Sequence, residues 1–382
     1  MTRFCTSQFV RGAVAGLVTL AAASTASAET KEFNASNWLP DSTALVSHGY
    51  LEWAKLLEEA SGGELKAKVF TGPVLLPPAA HLSGLRDGVA QVTYHAGTYT
   101  PADLPLDNIL AHLSIGITDP FVAAFAMTDF NMTDPEMIAM WASHNVVYGG
   151  GYSTISYHLF CTEAIATPAD IEGKKIRTLG AMMSDWAKSV GAVPVNVPST
   201  EMYSGLEKGQ LDCAANTLEQ LKSSSLWDVA KHTSLVDLGI YYAGFLYGIN
   251  QDFWQSLTPA ERRTLLDTMA TSIVRTQIRY DKAGEEAAVE AASHGVVMHQ
   301  PDAALVKSIT DFRAVARQSA IELGVETFGV ADAETLVARF EATIAKWEKL
   351  LDGIDRTDQA ALTAVLKREL YDQIDTENYG VN

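Results

Sequence analysis

The chain has 382 residues, 47% of them hydrophobic and 19% charged. That composition excludes a disordered or collagen-like polymer and, at ~150 residues per domain, suggests two to three domains. Lys and Arg number 28 against 46 Asp and Glu, a net charge of −18 without basic runs, so no nucleic-acid partner is expected.

The N-terminus carries Arg3 and Arg11, an apolar stretch from Gly12 to Ala23, and Ala26-Ser27-Ala28 as a small-residue cleavage signal. This predicts a cleaved signal peptide over residues 1–28. The apolar run is well short of the ~20 residues that span a bilayer, and no later stretch reaches that length. Cys5 precedes the apolar run, so it is not placed like a lipoprotein cysteine. Removing residues 1–28 takes away two Arg and no acid, which moves the net charge from −18 to −20. An exported, soluble, acidic protein of the bacterial periplasm is expected. Only three cysteines are present, too few for a disulfide scaffold or a Cys-rich zinc module. In an oxidising compartment Cys161 and Cys213 either pair or lie buried as small apolar side chains.

Along the chain, Glu32–Ser36 reads as a strand. A helix follows over about Thr43–Ala60, with Leu45, Leu51, Ala54 and Leu57 on one face, and Gly62-Gly63 stops it. Leu65–Phe70 alternates like a strand, Pro77–Arg86 reads as a short helix, and Val89–Tyr94 as the next strand. The β-α-β-α-β order predicts a parallel sheet. A second set recurs: Ile176–Leu179, Pro194–Val197 and Leu211–Asn216 as strands, Met182–Val190 and Glu201–Lys208 as helices. Two echoes link the sets. Ser83-Gly84-Leu85-Arg86-Asp87-Gly88 resembles Ser204-Gly205-Leu206-Glu207-Lys208-Gly209, and Trp53-Ala54-Lys55 resembles Trp186-Ala187-Lys188. Two lobes of similar topology follow.

Thr258-Pro259-Ala260-Glu261 is a capping box with Pro at the first helical position. The pattern stays helical to His294-Gly295, about 35 residues or roughly 50 Å, long enough to span both lobes. Two further helices, about Asp302–Leu323 and Ala333–Leu351, close the chain. A two-lobed α/β protein places ligands at the carboxyl ends of its strands. The strand-end candidates are Tyr94, His95 and Tyr99 in the first lobe and Arg177, Ser199 and Asn216 in the second. Trp38, Tyr152, Tyr157, Tyr241 and Tyr242 are aromatic candidates.

Catalytic signatures are missing. There is no GxSxG, HExxH, Walker A or GxGxxG motif, and Gly149-Gly150-Gly151 lacks the Lys and following helix of a phosphate loop. His158, Cys161 and Cys213 could hold a metal, but two soft ligands on neighbouring strands are commoner as core. No cofactor, metal or catalytic residue is expected, and a secreted hydrolase or lyase using Tyr or His is the competing class.

Residues 168–177, Pro-Ala-Asp-Ile-Glu-Gly-Lys-Lys-Ile-Arg, resemble the DLKGKKIR segment of TRAP transporter substrate-binding proteins of the DctP type. Gly191-Ala192-x-Pro194, Glu201-Met202-Tyr203-x-x-Leu206-x-x-Gly209-x-x-Asp212, Asn216 and Ile249-Asn250-Gln251-Asp252-Phe253-Trp254-x-x-Leu257 follow in that family's order. The match runs over roughly residues 33–350 and is densest over 168–254. The resemblance implies an α/β, two-lobed periplasmic binding protein fold, type II-like, with parallel-sheet lobes joined by a hinge and a long domain-spanning helix. The expected division is a signal peptide (1–28), lobe I (29–152 plus about 238–270), lobe II (153–237 plus about 285–330), a lobe-spanning helix (about 259–294) and C-terminal helices (331–382).

The resemblance also implies a receptor that captures an organic acid and hands it to a membrane permease, working as a monomer. Arg177 falls on the family's carboxylate-binding arginine and Asn216 on its assisting asparagine. Arg offers planar paired donors that match a carboxylate, and its charge is permanent. The sequence departs from sialic acid binders: Tyr157 stands where these carry a second arginine, Ser199 where some members have a stacking phenylalanine, and Cys213 replaces the usual glycine. With Tyr94, His95 and Tyr99 at the first lobe's strand end, the expectation is a neutral, aromatic-rich pocket with one cationic anchor. A small hydroxy, keto or sugar acid is the expected ligand, and a dicarboxylate or a zwitterion such as an amino acid or ectoine-like solute is the alternative.

Overall fold

The computed structural model describes residues 1–4 and 30–381; the signal-peptide reading therefore falls largely outside the described residues. Two mixed sheets organise the chain. The first holds β1 (Lys31–Asn37), β2 (Leu65–Thr71), β3 (Val92–Ala96), β4 (Val146–Gly150) and β10 (Gly244–Asn250), in the order β2-β1-β3-β10-β4. The second holds β5 (Tyr157–Cys161), β6 (Lys175–Thr178), β7 (Val193–Asn196), β8 (Cys213–Thr217), β9 (His232–Ser234) and β11 (Val297–His299), in the order β11-β9-β5-β8-β6-β7.

The two sheets share one plan. β1 pairs in parallel with β2 and β3, as β6 does with β7 and β8. In each sheet the next strand is antiparallel: β10 beside β3, and β5 beside β8. The all-parallel expectation is thus corrected. β5 and β10 enter their sheets from the segments that cross between lobes, without a helical crossover on the same sheet, so they need not run parallel. The sequence echo has the same structural meaning in both lobes. Helices His81–Arg86 and Met202–Glu207 end at left-handed Gly88 and Gly209, closed by Val89 N donating to Gly84 O (2.9 Å) and Gln210 N to Gly205 O (2.8 Å). Gly84 and Gly205 themselves lie against Leu76 and Leu211, where a Cβ would come within 2.5 and 2.7 Å of a side chain.

The crossing segments brace one another. Thr154 N donates to Tyr241 O, Tyr241 N to Thr154 Oγ1 and Tyr157 N to Gly239 O, each at 2.8 Å. A third link is the helix Pro259–Glu290, which begins at the Thr258/Glu261 capping box. Its Thr268 hydroxyl accepts from Trp53 Nε1 in the first lobe (3.3 Å), and its Tyr280 hydroxyl meets Thr217 Oγ1 at the end of β8 (3.2 Å). The helix Glu52–Ala60 buries Trp53 and Leu57 against it; one π-type turn, Ser47–Leu51, interrupts the helical stretch before it. The C-terminal segment lies under the first lobe, where the Tyr371 hydroxyl donates to Gly149 O (2.8 Å) and Arg262 to Thr376 O (3.0 Å). Among the described residues no helix is long and apolar enough to cross a membrane.

Candidate ligand-binding cleft

The carboxyl ends of β1, β3, β6 and β8 converge on one small cavity of about 30 Å³ between the lobes. Arg177 lies in β6, beside Val195 of β7 and Ala214 of β8. Its guanidinium reaches past the ladder: Nε donates to Val197 O (3.0 Å) and Nη1 to Ala215 O (2.9 Å), the carbonyls that follow on the two flanking strands. These bonds aim the fork at the strand ends. Nη2 makes a long contact to the Tyr99 hydroxyl, at 3.5 Å, and the guanidinium also lies in hydrogen-bonding reach of the Tyr157 hydroxyl. Arg177 is fully buried, yet no acidic side chain lies within 4.0 Å of it among the described residues. A buried cation normally has such a partner, because its desolvation costs several kcal/mol. Here donors on Nη1 and Nη2 remain unspent, facing the cavity.

Asn216, at the end of β8, is buried, with its carbonyl oxygen accepting from Thr217 N (2.8 Å) and its amide turned to Met202 Sδ (3.4 Å). From the first lobe, Trp38 follows β1, stacks on Tyr94 with ring centres 5.4 Å apart and lies 5.6 Å from Tyr99. Tyr99 bridges the lobes, since its hydroxyl also accepts from Ser199 N at 3.1 Å. Ser42 Oγ donating to Ser223 O (2.8 Å) is a second bond across the mouth. Tyr157 sits beside Arg177. Burial raises its hydroxyl pKa, and the Arg177 charge opposes that shift. Burial likewise keeps Tyr94, Tyr241 and Tyr280 neutral.

Of the eleven sequence candidates, Arg177, Asn216, Trp38, Tyr94, Tyr99, Tyr157, Ser199 and Tyr241 line this cavity, and His95, Tyr152 and Tyr242 do not. His95 packs on Phe245 and hydrogen-bonds Thr100 Oγ1 (2.9 Å), and burial pushes its pKa down to about 3. The Tyr242 hydroxyl donates to Leu110 O (3.1 Å), away from the cleft. Neighbours along an extended chain point to opposite sides: Tyr94 and Tyr241 face the cavity, so His95 and Tyr242 turn from it. Tyr152 stands behind Tyr94, with the two hydroxyls 3.0 Å apart.

The sequence reading missed Glu219, Gln220 and Tyr280, which also line the cavity. Glu219 adds an acidic side chain to the expected aromatic-rich pocket. It begins the helix Glu219–Ser223, directly after β8, and is buried with an acceptor unpaired. Burial pushes its carboxyl up to about 7, against the opposing pull of the Ser223 hydroxyl, the Gln220 amide and the Ala44 N–H. No motif marks it, and its spacing of three residues after Asn216 was the only available signal. A neighbouring cavity shares Leu179 and Tyr241, but its lining holds no Asp, Glu, Lys or Arg. Of these two cavities, the first alone holds a cationic side chain, Arg177. Cys161 and Cys213, paired across β5 and β8, form a disulfide, which removes both thiols as metal ligands. His158 Nδ1 lies 3.1 Å from Val236 O, and no cluster of three or more metal-ligating side chains occurs among the described residues.

Residues 148–320 match the family model described as bacterial extracellular solute-binding protein, family 7. The 2,3-diketo-L-gulonate-binding periplasmic protein YiaO of Escherichia coli is 26% identical over 267 residues, covering 67% of this chain and 76% of that one. Two solved structures superpose on the fold. One is a TRAP solute-binding protein from Rhodoferax ferrireducens with copurified benzoate (TM-score 0.74, 20% identity, 84% of this chain and 99% of that one). The other is a Bordetella bronchiseptica TRAP solute-binding protein with bound mandelate (TM-score 0.68, 24% identity, 83% and 99%). With its paired mixed sheets and the matched segment spanning β4 to the helix after β11, the chain is similar to the DctP-type bacterial extracellular solute-binding proteins of family 7.

Proposed function

We propose that this protein is the periplasmic solute receptor of a TRAP transporter, and that it holds a small organic carboxylate between its lobes. One observation carries the reading: Arg177 is fully buried where the lobes meet, with unspent donors and no acidic partner among the described residues. A carboxylate supplies the missing charge and accepts from both terminal nitrogens. Asn216 adds an amide, and Trp38, Tyr94, Tyr99 and Tyr157 give the ligand body an apolar, hydrogen-bonding wall. Ser199 fixes Tyr99 through its backbone. The relative named for 2,3-diketo-L-gulonate and the structures holding benzoate and mandelate support the same ligand class.

The ligand touches both lobes only when they meet, so it binds the closed arrangement better and shifts the hinge toward it. The loaded closed form is the one handed to the membrane permease. Signal-peptide cleavage after Ala28 leaves Glu29 as the first residue, which mass spectrometry of periplasmic protein checks. The receptor works as a monomer and leaves its ligand chemically unchanged. A thermal-shift screen against an organic-acid library tests the reading: an acid at 100 times its Kd stabilises the fold by about 2.7 kcal/mol. A screen in which sugars or amines shift the transition and no carboxylate does would reject it, as would recovery of altered ligand.

A further inference from the structure

Two buried polar atoms of the cavity lack a well-formed hydrogen bond, one on each lobe. Trp38 Nε1, a donor, has no partner, and Glu219 Oε1, an acceptor, makes no well-formed bond, although the Ala44 N–H and the Ser223 hydroxyl lie close to its carboxyl. Both side chains are about 2% exposed. Glu219 is otherwise fixed, because Oε2 accepts from Gln220 Nε2 at 2.7 Å. Native proteins rarely leave buried donors and acceptors unpaired, and an orphan in a binding cavity is explained by a group that arrives from outside. Arg177 asks for an acceptor, as does Trp38; Glu219, when ionised, asks for a donor. One ligand answers all three if it carries a carboxylate at one end and a hydroxyl or N–H further along.

We infer that Glu219 is a specificity-determining residue, selecting carboxylates that bear a hydrogen-bond donor over otherwise identical acids that lack one. The inference rests on the reading of Arg177 as carboxylate anchor and narrows the ligand class within it. A site built to hydrogen-bond a ligand OH or NH rejects the analogue without it, because its own buried group is then left unpaired. Glu219 has a competing structural role. It faces the Ala44 N–H of the first lobe and the Ser223 hydroxyl of its own helix, so it could simply tie the closed lobes together. A tie strengthens every ligand equally, whereas a ligand contact discriminates.

The test is calorimetric titration with three matched pairs: mandelate and phenylacetate, 3-hydroxybenzoate and benzoate, pyroglutamate and cyclopentanecarboxylate. In the wild type the donor-bearing member of at least one pair binds about tenfold or more tighter than its partner. Glu219→Leu brings that ratio within about threefold by weakening only the donor-bearing member, and Glu219→Gln, which keeps an acceptor and the shape, falls between. Circular dichroism confirms each fold; if Glu219→Leu fails to fold, a fall of about threefold or more in the Glu219→Gln ratio carries the decision. Unchanged ratios, equal loss on both members of a pair, or no preference in the wild type overturn the inference while leaving the Arg177 anchor standing. If the wild type binds none of the six acids, the carboxylate reading fails and this inference with it.

Discussion

Replacing Arg177 separates a binding role from a structural one, because the two roles move stability and affinity in opposite ways. Arg177→Met keeps much of the apolar stem and deletes the charge. On the stability side, the variant gives up two hydrogen bonds to Val197 O and Ala215 O, at about 1.5–3 kcal/mol each for a charged donor. It also removes a fully buried cation that no acid neutralises among the described residues, and that relief is worth several kcal/mol. The two nearly cancel, so the ligand-free fold should change by no more than about 2 kcal/mol. Affinity has no such offset. A bound carboxylate left facing Met loses about 2–5 kcal/mol, roughly 30-fold to more than 1000-fold in Kd. Arg177→Lys keeps the charge without the fork and should recover only part of that loss. Chemical denaturation gives the first quantity, and calorimetric titration with an acid found by thermal shift gives the second. Wild-type affinity in a folded Arg177→Met protein would return Arg177 to an ordinary structural group.

Three further outcomes follow from other parts of the molecule. Glu219, held near a pKa of about 7 by burial, binds a proton in the folded state that the unfolded chain has released above about pH 4.5. The folded form thus carries more protons across that window, and the contribution of Glu219 to stability falls as pH rises from about 4.5 through 7. Asp107 and Asp281 act in the same direction, so the comparison must be with Glu219→Gln; Gln220, Ser223, the Ala44 N–H and Tyr280 surround the group in both proteins. The stability gain of Glu219→Gln over wild type, read from melting curves, should grow between pH 5 and pH 8, and a gain that shrinks would refute the burial argument. The Cys161–Cys213 disulfide joins residues 52 apart, for which loop entropy gives at most about 4 kcal/mol; the Cys161→Ser/Cys213→Ser double variant should lower the denaturant midpoint, and an unchanged midpoint contradicts this. Gly244→Ala should yield insoluble or poorly folded protein, because Gly244 has φ +78° and a Cβ there would stand 2.0 Å from His95 O. A soluble variant with wild-type melting would contradict the geometry.

Much of the scaffold was legible because local signals agreed with the final packing. The three parallel strands at one side of each sheet, the helix stops at Gly88 and Gly209 and the Thr258 capping box all carry short-range chemistry. β10, Gly244–Asn250, was illegible for a physical reason. All seven residues are buried, so it lacks the alternation that marks a half-exposed strand. The helix Pro120–Thr133 fails in the same way, with twelve of its fourteen residues buried on every side. In the cleft, Arg177 was legible through a motif and Trp38 through its place after β1. His95 and Tyr242 were misplaced because strand alternation was not applied at the strand ends. Glu219 carries no sequence signal beyond its spacing from Asn216, because a carboxylate becomes informative only once its burial is seen.

The central claim is that a small carboxylate sits on Arg177 between closed lobes. A crystal structure of the protein with the tightest-binding acid from the screen tests it most directly. The expected result is a ligand in the cavity between Trp38 and Asn216, its carboxylate oxygens about 2.7–2.9 Å from Arg177 Nη1 and Nη2, and its donor against Glu219. A ligand seated elsewhere, or one whose carboxylate meets another cation while Arg177 keeps only Val197 and Ala215, would contradict the account.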